Sequence, residues 1–228
     1  MKVGIFIVAY NAEKTISNVI DRISDAAWGK IDEVFVFDDR SKDNTSDAIS
    51  RYKGANTEKI RVFRNNHNLG YGGNQKRGYL YAIENGFDIV VLLHGDGQYA
   101  PEMIEEMISP LESELTAAVF GSRMLEKGAA LSGGMPLYKL VGNRILTWIQ
   151  NQLLVSELSE FHSGYRAYRV QALKELPFLK NSNDFHFDTQ IIIQLMDNNS
   201  KIVEIPIPVY YGDEICHVNG LQYAFNVV

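Results

Sequence analysis

The sequence predicts an α/β fold: a single domain built on a mostly parallel sheet flanked by helices. Three observations carry that reading. Short apolar strands alternate with helical periodicity through the first half of the chain. Residues Val90 to Leu93 are all β-branched or Leu, as a strand buried on both faces requires. The 228 residues are 46% hydrophobic, enough for one large core without staples.

The elements follow in order. Val3 to Ala9 reads as the first strand. Ile16, Val19, Ile20 and Ile23 then fall at helical spacing, in an amphipathic helix ending near Trp28-Gly29. Val34 to Phe37 is a second strand, Asn44 to Tyr52 a helix, and Ile60 to Phe63 a third strand. A helix from Asn74 to Asn85 stops at Gly86, and Ile89 to Leu93 is the fourth strand. Met103, Ile104, Met107, Ile108 and Leu111 mark the next helix, and Ala117 to Phe120 a further strand. Residues 126–136, rich in Gly and small side chains, read as a loop. A long helix from Leu137 to Leu154 follows. Its apolar positions exceed a narrow core stripe, so it is either deeply buried or packs on a partner or lipid. Asp188 opens a last helix, and Ile202 to Ile205 is a final strand.

Composition excludes several classes. A net charge of −6 argues against a nucleic-acid partner. The single cysteine, Cys216, excludes an internal disulfide framework and agrees with a reducing compartment. No stretch reaches the roughly 18 apolar residues of a membrane span. Met1-Lys2 runs straight into a strand, so a secretory signal is not expected. These features read as a cytoplasmic protein whose membrane contact, if any, is peripheral.

The strongest chemical signal is His94-Gly95-Asp96-Gly97-Gln98, at the end of a buried strand. A carboxylate and an amide oxygen on a Gly-flanked turn suit a hard divalent ion that shares its other positions with a diphosphate and water. A helix-capping turn is the plainer reading of the same spacing. In open α/β sheets ligands sit beyond the carboxyl ends of the strands, so the loops after the first four strands share one crevice. Ala9-Tyr10-Asn11-Ala12-Glu13 follows the first, and Asp38 to Thr45 the second. Carboxylates placed there accept hydrogen bonds from a ribose or base; the preferred division makes Asp39 the ligand and Asp43 a cap. Asn68 to Lys76, with Gly70, Asn74 and Lys76, opens a helix whose bare N–H groups suit phosphate. No Gly-x-Gly-x-x-Gly follows the first strand, and no Gly-Lys-Ser/Thr loop occurs.

Taken together these runs form one ordered pattern. It comprises Tyr10-Asn11-Ala12-Glu13, Asp38-Asp39-x-Ser41-x-Asp43-x-Thr45, Asn68-x-Gly70, His94 to Gln98, Gly121-Ser122-Arg123, Ser163 to Tyr168, and Val203-Glu204-Ile205-Pro206. It resembles the family 2 glycosyltransferases of the GT-A, Rossmann-like fold, nearest the dolichol-phosphate mannosyltransferase branch. The resemblance spans residues 3 to about 210. It implies that Ala9, Tyr10, Asn11, Glu13 and Asp39 contact the nucleoside of a UDP- or GDP-linked sugar. Asp96 and Gln98 would hold Mg²⁺ or Mn²⁺ on the diphosphate, and Arg123 and Arg166 would lie near the acceptor or leaving phosphates. A nucleotide-binding half would run to about residue 98 and an acceptor half from 99 to 210. Residues 211–228 would then be a C-terminal extension, either truncated from a longer protein or the end of a short one.

Two departures from the branch matter. His94 stands where Asp is usual, and imidazole suits the softer divalent ions, so it is either a third metal ligand or a loop filler. Phe185-His186-Phe187 replaces Phe-Glu-Phe, which leaves Asp188 as a helix cap or an acceptor-side carboxylate. The expected reaction is sugar transfer with inversion, preferably to a polyprenyl phosphate, since Arg123, Lys139, Arg144 and Arg166 favour an anion. A saccharide hydroxyl is the alternative acceptor and would need Asp188 as base. A nucleotidyltransferase should carry a Gly-rich, Arg-containing loop after the first strand, where Ala9-Tyr10-Asn11 stands instead. A non-catalytic nucleotide-binding scaffold is the remaining alternative.

Overall fold

The computed structural model describes residues 1–208. The expected boundary at 210 and the C-terminal extension at residues 211–228 lie outside the described residues.

The first half builds four parallel strands: β1 (Val3–Ala9), β2 (Glu33–Asp38), β3 (Ile60–Arg64) and β4 (Ile89–His94). The second half adds β5 (Thr116–Ser122), β6 (Arg166–Arg169) and β7 (Lys201–Pro206). One seven-stranded sheet results, in the order β3-β2-β1-β4-β6-β5-β7. β6 is antiparallel to both β4 and β5, and every other pairing is parallel. The mostly parallel sheet expected from the strand pattern is therefore observed.

Alternation along β1 feeds two cores. Ile5 and Ile7 face one side, with Val34, Val36, Val91 and Leu93; against them pack α1 (Ile16–Asp21), α2 (Asp25–Lys30) and α5 (Ile104–Ile108). Phe6 and Val8 face the other, with Phe35, Phe37 and Leu92, beneath α4 (Tyr71–Glu84), α8 (Val170–Glu175) and α9 (Phe187–Asp197). Phe6 stacks on Phe35 at 5.5 Å and meets Tyr79 edge-on at 5.8 Å. A Cβ on Gly78 would come within 2.2 Å of the Phe6 ring, so glycine is what lets α4 lie this close to the sheet. Truncating Phe6 in so dense a layer would cost about 3–5 kcal/mol.

Several elements differ from the sequence expectation. The first helix breaks in two because the Ser24 side chain accepts the Ala27 N–H at 3.0 Å and starts α2 afresh. α4 begins at Tyr71, three residues before Asn74. α5 is short, bracketed by 3₁₀ turns at 101–103 and 109–112, the second carrying Pro110. The small-residue loop holds a single helical turn, α6 (Ala129–Ser132). β6 and α8 were not expected at all. α3 (Thr45–Ser50) is shorter than predicted, whereas α7 spans Leu137–Leu154 as predicted. Only Leu140, Thr147 and Gln150 of α7 are buried; Tyr138, Val141, Ile145, Trp148 and Leu153 are exposed. Among the described residues, no helix is long and apolar enough to cross a membrane.

Candidate active site

β1 pairs with β2 on one side and β4 on the other, so the chain direction of strand addition reverses at β1. Ala9 lies opposite Asp38, and Val8 opposite His94. Three carboxyl ends therefore open into one crevice at the switch point, where α/β sheets bind ligands.

Two loops on one rim are laced together. Asn11, at φ 53°, donates its N–H to Ser41 Oγ at 2.8 Å, and its Oδ1 accepts from Lys42 N at 2.9 Å. Ala12 N donates to Thr45 Oγ1 at 2.8 Å, and both Glu13 carboxylate oxygens accept from Asn44. Asn11 and Glu13 thus hold the loops, while Ala9 is buried and Tyr10 is exposed. Asp43, expected as a helix cap, stands one residue before the N-cap Asn44 and accepts the Thr45 N–H at 3.1 Å. Burial raises its pKa, but hydrogen bonds from Thr45 and Glu13 outweigh that and hold it below the usual carboxylate value.

Asp39 is almost fully buried. Its Oδ1 accepts Asn65 Nδ2 at 2.9 Å and Leu69 N at 2.8 Å, and its Oδ2 accepts Gly70 N at 3.0 Å. A carboxylate offers about four lone-pair sites, so room for one donor remains.

The phosphate cradle expected at residues 68–76 is corrected by this hydrogen bonding, because the N–H groups of Leu69, Gly70, Gly72 and Gly73 are already spent. Gly70 N goes to Asp39, and Gly72 N and Gly73 N go to the Asn183 carbonyl at 2.8 and 3.2 Å. Asn74 is buried and donates to the Phe37 carbonyl, and Lys76 Nζ binds the Asn181 carbonyl and Asn183 Oδ1. A Cβ on Gly70 or Gly72 would strike the Asn183 or Ser182 carbonyl at 2.5 Å. The glycines admit the 182–184 segment, and Gly70 also needs its φ of 79°.

Asp96 is exposed on the turn after β4, with Gln98 N donating to its Oδ1 at 2.9 Å and Gly97 at φ 80°. Among the described residues, no cluster of three or more His, Cys, Asp or Glu groups is arranged to hold a metal by itself. The donors present are oxygen atoms on an open turn, which fits an ion that takes its remaining ligands from a diphosphate and water.

Behind that turn lies a polar chain absent from the sequence reading. Tyr71 hydroxyl donates to Asp188 Oδ2 at 3.0 Å and lies 3.2 Å from His94 Nε2. Gln75 Nε2 donates to Asp188 Oδ1 at 2.9 Å, and Tyr79 hydroxyl donates to Gln75 Oε1 at 2.8 Å. Burial lowers the His94 pKa, outweighing the nearby Asp96 and Asp188 charges that would raise it. Asp188 is therefore buried and engaged at both oxygens.

The two arginines are also committed internally, which corrects their expected place on the acceptor or leaving phosphates. Arg166 is 1% exposed and donates to the carbonyls of Ser163, Asp188 and Phe161 at 2.8–3.0 Å. Arg123 forms a buried ion pair with Glu160, which also accepts Asn143 Nδ2 of α7 at 2.7 Å. Burial raises the Glu160 pKa, but the Arg123 charge and these hydrogen bonds prevail and depress it. Lys139 is half-buried with a partner of its own, whereas Arg144 and Lys127 are exposed.

Residues 4–177 match the family described as Glycosyl transferase family 2. The chain belongs to that family. This glycosyltransferase is also 31% identical over 220 residues to a UDP-N-acetylglucosamine–dolichyl-phosphate N-acetylglucosaminyltransferase of Methanococcus voltae, covering 92% of this chain and 86% of that one. It is 27% identical to the undecaprenyl-phosphate mannosyltransferase of Micrococcus luteus, over 91% and 83% of the two chains. Among solved structures it is similar to the glucosyl-3-phosphoglycerate synthase of Mycobacterium tuberculosis in complex with UDP, with a TM-score of 0.74 at 20% identity, covering 99% of this chain and 77% of that one. The same synthase in complex with Mn²⁺ and UDP-glucose gives 0.72. The glycosyltransferase thus has the GT-A fold expected from its motifs.

Proposed function

We propose that this glycosyltransferase transfers a sugar, with inversion, from a UDP- or GDP-linked donor to a polyprenyl phosphate, using Mg²⁺ or Mn²⁺. The relatives named above for dolichyl and undecaprenyl phosphate support the acceptor class. Ala9, Tyr10 and Asp39 line the nucleoside end of the crevice, on loops that Asn11 and Glu13 hold in place. Asp96 and Gln98, with His94 behind them, would hold the ion, which when bound offsets negative charge on the departing diphosphate.

The observation that carries the acceptor assignment is the state of Asp188. Transfer to a sugar hydroxyl needs a free base near the anomeric carbon. Both Asp188 oxygens are occupied, by Tyr71 and Gln75. A lipid phosphate is already ionised and needs none: its oxygen forms the new bond to the anomeric carbon as the bond to the nucleoside diphosphate breaks, and no proton moves. The acceptor half would meet the lipid through the exposed apolar face of α7, with Arg144 and Lys127 free to meet its phosphate. On this reading the enzyme works as a peripheral protein on the cytoplasmic side of a membrane.

Incubating the protein and Mn²⁺ with a panel of UDP- and GDP-sugars, against polyprenyl phosphate and oligosaccharide acceptors in parallel, tests the reading. Lipid-linked monosaccharide in the first series supports it. Product only in the oligosaccharide series would replace it with the hydroxyl-acceptor reaction.

A further inference from the structure

α7 is amphipathic in the reverse of the usual sense. A helix on a soluble body normally turns its apolar face inward. Of the residues of α7, Leu140, Thr147 and Gln150 are the buried ones, one apolar against two polar. Its inward side is tied down by polar bonds: Asn143 Nδ2 donates to Glu160 at 2.7 Å, Thr147 Oγ1 donates to Asn143 Oδ1 at 3.2 Å, and Asn151 Nδ2 donates to the Leu158 carbonyl at 2.8 Å. Tyr138, Val141, Ile145 and Trp148, spaced three and four apart, share the outward face at 47–74% exposure.

Charge divides the same way. Residues 127–156 contain Lys127, Lys139 and Arg144 and no aspartate or glutamate, in a chain whose net charge is −6. Arg144 is exposed and stands three residues after Val141 and four before Trp148, so on a helix it borders both. Lys127 is exposed on the segment leading into α6, and α6 rides on α7 because Ala130 and Met135 pack with Leu140. An apolar row edged by cations, on a helix not apolar enough to cross a bilayer, has the chemistry of a surface that lies in the headgroup layer. Tyr138 and Trp148 suit that depth, since each has an apolar ring and a polar tip. A second copy would bring the same positive surface to face itself, whereas an anionic bilayer supplies the opposite charge.

We propose that this surface recruits the enzyme to anionic phospholipid independently of the acceptor, with α7 lying parallel to the bilayer. The inference rests on the membrane reading above and goes beyond it. The headgroups of the bilayer are a partner separate from the polyprenyl phosphate, and their charge governs how much enzyme reaches its acceptor. A cation near such a surface strengthens binding about fivefold, so Lys127 and Arg144 together separate charged from neutral vesicles by roughly 25-fold.

Intrinsic fluorescence reads the contact directly. The chain has two tryptophans, of which Trp28 is 6% exposed and Trp148 63%. The whole protein is titrated with phosphatidylcholine vesicles and with vesicles containing phosphatidylglycerol, neither holding polyprenyl phosphate, in low and high salt. The expected result is a blue shift of the emission with anionic vesicles, weakened by salt, and roughly 25-fold weaker binding to neutral ones. Trp148→Phe is expected to lose the shift. Lys127→Gln combined with Arg144→Gln is expected to bind anionic vesicles roughly 25-fold more weakly, with circular dichroism unchanged. Equal binding to both kinds of vesicle, a shift that survives in Trp148→Phe, or unaltered affinity in the double variant would overturn the inference. Binding only after polyprenyl phosphate is added to the vesicles would overturn it and leave the acceptor assignment standing. Dimerisation that shields Trp148 without vesicles would overturn it in favour of a second copy on this face. Anionic binding as expected, in a protein that forms no lipid-linked sugar from any donor, would uphold the surface and fail the proposed reaction.

Discussion

Asp39 receives the backbone N–H of Gly70 at 3.0 Å across 31 residues of sequence, tying the end of β2 to the start of α4. With Leu69 and Asn65 on the other oxygen, the carboxylate organises the crevice wall and still keeps one site for a ligand. A single residue thus serves both the fold and the proposed nucleoside contact.

Asp39→Asn is therefore expected to lower nucleotide affinity by about 1–3 kcal/mol, the usual loss of a charged hydrogen bond, and to lower the melting temperature as well. Calorimetry with UDP and GDP, run beside a thermal melt, separates the two effects. Equal nucleotide affinity in a less stable variant would remove Asp39 from the nucleoside contact and leave it a structural role.

Arg166 should behave as a structural residue. Arg166→Met leaves three buried carbonyls and the Asp188 carboxylate without their cation, which costs about 3–5 kcal/mol, or roughly 6–20 °C in melting temperature for a chain of this size. An arginine that bound acceptor phosphate would show the reverse pattern, with stability kept and transfer lost.

His162 gives the protein an acid-sensitive element. Burial pulls its pKa down to about 4, prevailing over the Glu160 charge that would raise it. The unfolded chain takes up the proton near pH 6.5 and the folded one only near pH 4. The neutral ring's contribution is then complete above about pH 6.5 and is lost as the pH falls toward 4. Denaturation midpoints at pH 7.5 and pH 5 should differ more for the wild-type protein than for His162→Gln. An identical pH dependence in both would show that His162 titrates normally.

The exposed row on α7 predicts a separable membrane step. Trp148 is 63% exposed, so Trp148→Glu should leave stability within about 0.5 kcal/mol. Sedimentation with vesicles containing polyprenyl phosphate should fall sharply, while transfer to a short, water-soluble prenyl phosphate should persist. Unchanged sedimentation would move the lipid contact elsewhere.

Much of this was legible in the residues themselves. β1 and β4 announce themselves because a strand buried on both faces must be apolar throughout, and Asp96 stands out because two glycines frame it. β6 escaped because Arg166, Tyr168 and Arg169 look like a polar turn; Arg166 is tolerated inside only because carbonyls from 161, 163 and 188 meet it. The Gly-rich run at 70–73 was visible, but its partner was misread: the glycines make room for the 182–184 segment. Tyr71 and Asp188 meet across 117 residues, and Arg123 and Glu160 across 37, so no local spacing could have paired them. The Ser163-Gly164-Tyr165-Arg166 run was read only as part of the ordered pattern, and the approach of the Gly164 backbone to His94 emerges from the fold alone.

The most direct test of the account is a comparison of wild-type and Asp96→Asn protein for lipid-linked sugar formed from a nucleotide sugar and polyprenyl phosphate in Mn²⁺. Asp96 is exposed and its side chain accepts only a local turn hydrogen bond, so the variant should fold and melt like the wild type. The account predicts product from the wild type, abolished by excess chelator, and none from the folded variant. Wild-type turnover that survives chelator, or an Asp96→Asn variant as active as the wild type, would contradict it.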